Sequence, residues 1–158
     1  MSETITGTRE IPVAIKILDK RLEGQLPARG TPGSAGYDIR IMCDNNILLN
    51  PGQRIKLPSG IAIHIEDPGI VGLIVPRSGL GSRGLVLSNL TGVIDSDYTG
   101  EIQMTLWNAG KEGILLKPLD RVAQLLFVPV FGVSWKVLDT LDKTERGGSG
   151  FGSTGTAG

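Results

Sequence analysis

Apolar side chains recur at every second position in one segment after another. Tyr37, Ile39 and Ile41 alternate with Asp38 and Arg40, and Ile55 and Leu57 with Arg54 and Lys56. Ile61, Ile63 and Ile65 alternate with Ala62, His64 and Glu66, and Ile102, Met104 and Leu106 with Glu101, Gln103 and Thr105. A period of two sends successive side chains to opposite faces of a strand, so each segment reads as a half-buried β-strand. Turn-forming clusters separate the runs: Asp44-Asn45-Asn46, Pro51-Gly52, Pro58-Ser59-Gly60, Asp67-Pro68-Gly69 and Asn108-Ala109-Gly110. Twenty-three glycines and nine prolines in 158 residues leave no room for a long helix. The expected fold is all-β, a jelly-roll-like β-barrel or sandwich, with at most one short helix near Ser78 to Arg83.

Charge narrows the partners. Sixteen basic and sixteen acidic side chains balance, without the Lys/Arg stripe of a protein that follows a nucleic-acid backbone. No apolar run is long enough to cross a bilayer as a helix, and no apolar leader segment opens the chain. The single cysteine, Cys43, fits a reducing compartment. A cytoplasmic protein with a small-molecule substrate, and neither nucleic acid nor membrane as partner, is expected.

The chain divides into a β domain over residues 1–145 and an arm over 146–158. Gly147 to Gly158 holds six glycines in twelve residues, with Phe151 as its one aromatic and Arg146 at its root. Such a segment is a linker or a flexible lid that folds over a ligand. Gly150, Gly152 and Gly155 satisfy the G-x-G-x-x-G spacing. Only three residues follow, so no helix can present its N-terminus to a pyrophosphate, and the dinucleotide-binding reading fails.

Three clusters could carry chemistry. Arg77-Ser78-Gly79 after the run Ile70–Val75 offers a guanidinium fork, a hydroxyl and close backbone approach, which suits phosphate oxygens; locally it is equally a turn with a solvated arginine. Asn89 to Gly100 places Asp95 and Asp97 around Ser96, beside Tyr98 and an amide. That set reads as a general base next to a base-and-sugar pocket, or as an Asp-rich turn. Arg121 and Gln124 open the apolar run Val122–Val130, where an arginine needs a partner: Asp120, Asp139 or a phosphate. His64, the only histidine, reads as ordinary surface, so a cage of protein ligands alone is not expected.

Taken together the segments resemble the trimeric dUTPase family over nearly the whole chain. The resemblance rests on five blocks in order: Gly33-Ser34-Ala35-Gly36-Tyr37-Asp38, Pro76-Arg77-Ser78-Gly79, Gly92 to Gly100, Asp120 to Leu125, and Arg146 to Gly155. It implies hydrolysis of dUTP to dUMP and pyrophosphate by water attack at the α-phosphorus, assisted by Mg²⁺, in a homotrimer whose subunits share each site. By resemblance Asp95 orients and activates the water and touches the 3′-hydroxyl, while Tyr98 excludes a ribose 2′-hydroxyl. Asn89, Gly92, Val93 and Ile94 read uracil, with Gln103 as a further contact. Arg77, Ser78, Gly79 and Gln124 bind phosphates, and Asp38 holds waters of the Mg²⁺. Arg146, Phe151 and Gly152 belong to an arm that closes over the nucleotide. Arg121 matches the family motif as either a structural or a ligand-touching residue. The stretch Gly81-Ser82-Arg83-Gly84 is one residue shorter than in many relatives. Two alternatives share the fold: a dCTP deaminase, and a regulatory module without catalysis.

Overall fold

A computed structural model describes residues 10–144 and 146–148. Ten strands make three antiparallel sheets. In the first, β1 (Ala14–Ile17), β4 (Arg54–His64), β8 (Glu101–Asn108) and β6 (Leu85–Leu87) lie in the order β1-β4-β8-β6. In the second, β2 (Tyr37–Arg40), β10 (Arg121–Pro129), β5 (Ile70–Pro76) and β7 (Gly92–Ile94) lie in the order β2-β10-β5-β7. The third pairs β3 (Ile47–Leu49) with β9 (Ile114–Leu116). The one α-helix described, α1 (Ser78–Gly81), falls where the short helix was expected, and a single 3-10 turn covers Lys20–Leu22.

The alternating residues meet in one core. Ile61, Ile63, Leu85, Ile102, Met104 and Leu106 of the first sheet pack against Ile39, Ile74, Val122 and Leu125 of the second, with Leu49 and Leu116 of the third closing one end. Buried Asn108 joins the layers through its own satisfied side chain. Its Nδ2 donates to Leu49 O (2.8 Å) and Glu112 O (2.7 Å), and its Oδ1 accepts from Gly110 N (2.9 Å).

Pro58-Ser59-Gly60 corrects the sequence reading. The cluster does not end a strand; β4 runs through it with a shift of register between Pro58 and Ala62. Gly60 takes φ +72, and a Cβ there would come within 3 Å of Met42, Asp19 and Leu22. A glycine bulge therefore bends one long strand over the 3-10 turn, where two strands and a turn were expected.

Beyond β10 the chain leaves the sheets. Val130 N still donates to Gly69 O at 2.8 Å, but Phe131, Trp135 and Val137 are 88%, 87% and 92% exposed.

Candidate active site

A bulge assembles the polar side of the second sheet. β10 pairs Gln124 with Asp38 and Arg121 with Arg40, and the register shifts between Arg121 and Ala123. Residues three apart on a regular strand face opposite ways. The extra residue at Val122 restores the phase, so Arg121 and Gln124 both join Asp38 on one face, while Val122 and Ala123 are both buried.

On that face Asp38 sits between two guanidiniums. Its Oδ1 lies 2.9 Å from Arg77 Nε and its Oδ2 3.1 Å from Arg121 Nη1. Arg77 Nη1 donates to the Arg121 carbonyl at 3.0 Å. Three residues from β2, β10 and the end of β5 thus close a ring. The partner of Arg121 is Asp38, not the Asp120 or Asp139 expected from local sequence; Asp120 instead accepts from Lys117 N at 2.8 Å, within its own turn. Sequence neighbours on a strand point apart, whereas adjacent strands bring side chains together.

Beside the ring lies a cleft of about 200 Å³ lined by Gly30, Ser34, Gly36, Asp38, Arg77, Ser78 and Gln124. Gln124 Nε2 donates to Pro76 O at 3.2 Å, which lays its side chain along the rim. Ser78 opens α1 with Arg77 as the extended cap residue, and nothing stands within 4 Å of where a Gly79 Cβ would be. One arginine, two hydroxyls, an amide and one carboxylate line the small cleft, a donor set that suits phosphate oxygens. Gly30 was not singled out from sequence, and Ser34 and Gly36, though in the first of the five blocks, were given no role there. Their signal was a run of small residues directly before Asp38, where the wall must come close to the ligand.

The second group stands at the other edge of the sheet. Asn89 lies in the turn from β6 to β7, held by Leu90 N donating to Leu87 O (2.9 Å) and Thr91 N to Asn89 O (2.6 Å), with Leu90 at φ +60. Gly92, Val93 and Ile94 form β7 and pair with Ile74, Leu73 and Gly72 of β5. Asp95 follows, exposed. Tyr98 Oη donates to Glu101 O at 2.9 Å, and its ring lies over Gly100, where a Cβ would be 2.6 Å from Oη. Gln103 is an exposed residue of β8, two positions along from Thr105, whose carbonyl accepts from Ser88 N at 2.8 Å at the base of the turn.

The pairing also sets distances. Gly92 stands level with Ile74 and Ile94 with Gly72, so Asp95 falls beside Val71, about 20 Å along β5 from Arg77 at roughly 3.3 Å per residue. One chain therefore does not gather Asp95 with Asp38, Arg77 and Gln124.

Arg146 is exposed at the end of the described chain, where Gly147 N donates to Thr144 O at 3.1 Å. Phe151 and Gly152 lie outside the described residues. His64 sits at the surface, 3.7 Å from Glu66. Burial pushes the Cys43 thiol up from its ordinary value, which argues against a cysteine nucleophile. A larger groove of about 880 Å³ is lined by apolar residues such as Val13, Ile15, Ile63 and Phe127, with Glu10, Arg29 and Asp67 also on its wall.

Comparison with known proteins identifies the family. The dUTPase family model matches residues 23–155. The deoxyuridine 5′-triphosphate nucleotidohydrolase of Nitrosospira multiformis is 52% identical over 144 residues, covering 90% of this chain and 97% of that protein. That of Methylobacillus flagellatus is 49% identical over 146 residues, covering 92% and 97%. Among solved structures, the dUTPase of Staphylococcus bacteriophage 80alpha with dUPNHPP superposes with TM-score 0.76 at 29% identity, covering 91% of this chain and 98% of that one. With the family model matched over residues 23–155, about half of its residues identical to those relatives over nearly its full length, and the fold shared, this chain belongs to the dUTPase family.

Proposed function

We infer that the chain hydrolyses dUTP to dUMP and pyrophosphate, and we propose the following division of labour. Arg77, Ser78, Gly79 and Gln124 take the phosphates. Asn89 and the backbone of Gly92, Val93 and Ile94 read uracil, with Gln103 beside them, and Tyr98 packs on the deoxyribose. Asp95 orients the attacking water and takes its proton. The water's oxygen bonds to the α-phosphorus, the bond from that phosphorus to the bridging oxygen of the pyrophosphate breaks, and pyrophosphate departs with the electron pair. The observation that carries the reading is the convergence of Asp38, Arg77, Ser78 and Gln124 on one cleft, from positions spread over eighty-six residues of chain.

Charge decides what else the reaction needs. A triphosphate brings about four negative charges, and more develop on the leaving group. Mg²⁺ suits this donor set. Among the described residues no three His, Cys, Asp or Glu side chains gather as a metal cage, so the ion would arrive largely on phosphate oxygens and water. Asp38, the single carboxylate of the cleft, would hold it through its waters. When bound, the ion neutralises phosphate charge.

The order of groups along β5 supports assembly. From Arg77 one meets the uracil-reading strand and only then Asp95. In dUTP the order is base, sugar, α-phosphorus, outer phosphates, so the water-holding carboxylate must stand between base reader and phosphate binders. A single chain offers these parts out of order, and two copies side by side can correct it. We therefore propose a homotrimer of about 50 kDa with each site shared between subunits. The exposed Phe131, Val133, Trp135 and Val137, every second residue, and the apolar groove both fit burial against neighbouring copies. The arm from Arg146, with Phe151 and Gly152, would close over the filled site. The lone free cysteine supports a cytoplasmic location.

Release of pyrophosphate and of ammonia from dUTP and from dCTP tests the reading. Pyrophosphate from dUTP alone is expected. Ammonia from dCTP would make the chain a deaminase, and inertness toward both would make it a regulatory module.

A further inference from the structure

Arg121 has two possible employments: it could touch a phosphate itself, or it could act on the residue that does. The ring described above discriminates between them. Arg121 Nη1 is bonded to Asp38 Oδ2 at 3.1 Å, and Arg121 does not line the cleft, although Arg77, Asp38 and Gln124 do. Its side chain is half exposed, whereas that of Asp38 is 17% exposed. The carboxylate is thus the enclosed member, and Arg121 approaches it from the solvent side.

The consequences run through Asp38 to Arg77. A carboxylate on a short side chain retains one torsion that swings both oxygens and a second that spins them. The ion pair with Arg77 Nε at Oδ1 leaves that spin free. The hydrogen bond from Arg121 to Oδ2 fixes the carboxylate plane. Arg77 is then held at two of its three nitrogens: Nε by the ion pair with Asp38 and Nη1 by its hydrogen bond to the Arg121 carbonyl, at 2.9 and 3.0 Å. Among the described residues nothing takes the N–H groups of Nη2, which remain to be offered to a ligand. A guanidinium fixed in this way meets an anion without first losing side-chain freedom.

We propose that Arg121 is a positioning residue: it locks the Asp38 carboxylate, which in turn aims Arg77 at the phosphates, and it makes no ligand contact of its own. The proposal rests on the reading of Arg77 as a phosphate binder given above. It also assigns a purpose to the bulge at Val122, without which Arg121 would face away from Asp38.

The test is a double-mutant cycle on kcat/KM for dUTP, joined to an NMR signal. Arg121→Met should lower kcat/KM about tenfold in the natural background and less than about twofold when Arg77→Ala is already present, because the effect travels through Arg77. Arg121→Lys should recover most of the loss, since one N–H donor suffices for Oδ2. In Arg121→Met the ¹H–¹⁵N signal of Arg77 Nε, recorded on the full-length protein without nucleotide, should shift and exchange faster with water. Equal losses in the two backgrounds would overturn the proposal and make Arg121 a direct ligand contact. An unmoved Arg77 signal would overturn it too. If Arg77→Ala itself leaves kcat/KM intact, the phosphate role of Arg77 falls and the proposal falls with it; a costly Arg77→Ala with additive losses overturns the proposal alone. Should Arg121→Met prove unstable, Arg121→Ala, which also lacks a donor, carries the same cycle.

Discussion

Gly36 stands so close to Gln124 that a Cβ at position 36 would lie 2.3 Å from the carboxamide Oε1 and 3.0 Å from the Gln124 Cβ. Gly36 directly precedes β2 and lies against the Gln124 side chain of β10, and both line the cleft. Gly36→Ala must therefore displace the carboxamide. We expect kcat/KM for dUTP to fall about tenfold with the thermal midpoint down by only a few degrees. Gln124→Ala should cost a similar factor. Full activity in Gly36→Ala would show that the position of the Gln124 side chain does not matter.

Asp95→Asn keeps the shape of the side chain and removes the group proposed to take the proton. A loss of at least about 10²-fold in kcat is expected, with nucleotide affinity largely kept. Rapid-quench turnover beside equilibrium binding measures both. Near-normal turnover in a folded variant would move the base elsewhere.

Because Asp95 and Arg77 lie at opposite ends of β5, two inactive variants should repair each other. Asp95→Asn and Arg77→Ala chains, unfolded together in equal amounts and refolded, should assemble mixed trimers. If neighbouring subunits supply the two residues, roughly a quarter of the sites hold both intact groups by random assortment. Activity near that fraction of the natural enzyme is expected. Mixtures no more active than their parts would confine each site to one chain.

A stop codon after Glu145 removes Arg146, Phe151 and the glycine-rich arm. Ordering such a segment costs about 1 kcal/mol or more per residue, so the proposed closure would need compensating contacts with nucleotide. The truncated protein should keep its fold and assembly while kcat drops at least about tenfold, more than KM rises. Light scattering and steady-state kinetics separate the outcomes. Full activity would make the arm a linker, and loss of fold would make it structural.

Asp19 caps the 3-10 turn, accepting from Arg21 N and Arg21 Nε, each at 3.0 Å. These bonds from Arg21, the side-chain one foremost, hold its carboxyl down at about 2, from an ordinary 3.8. A carboxyl held lower in the folded than in the unfolded chain stabilises above the unfolded value. Its contribution disappears as the pH falls through the folded one. Asp19→Asn should therefore melt lower than the natural protein at pH 7. The difference should shrink between about pH 4 and pH 2 and be gone below. A gap constant across that window would assign the effect to packing under Gly60.

Strands were legible because half-burial leaves a mark on every second residue, and Ile61-Ile63-Ile65 or Ile102-Met104-Leu106 need no partner to display it. The two bulges were not. Gly60 reads as the end of a turn cluster until Met42 and Leu22, distant in the chain, crowd it. Nothing local in Arg121-Val122-Ala123 marks a residue inserted out of phase. The same limit explains why Arg121 drew a neighbour from its own turn as its expected partner while Asp38, eighty-three residues away, holds it. Residue types suggested candidate phosphate-binding and water-holding groups. Only the pairing of β7 with β5 revealed that one chain keeps Arg77 and Asp95 apart.

The exposed row at Phe131, Val133, Trp135 and Val137 bears on how the protein is made. All the described strands precede residue 130, so folding of the sheets is a first-order event within one chain. If another copy covers the row, as proposed, that step needs an encounter between chains, whose rate grows with their concentration. A slowly made protein would spend longer with tryptophan and phenylalanine in water, open to any other apolar surface. Yield of properly assembled enzyme should thus pass through an optimum in synthesis rate: too slow, and partners are scarce; too fast, and wrong encounters outrun the right one.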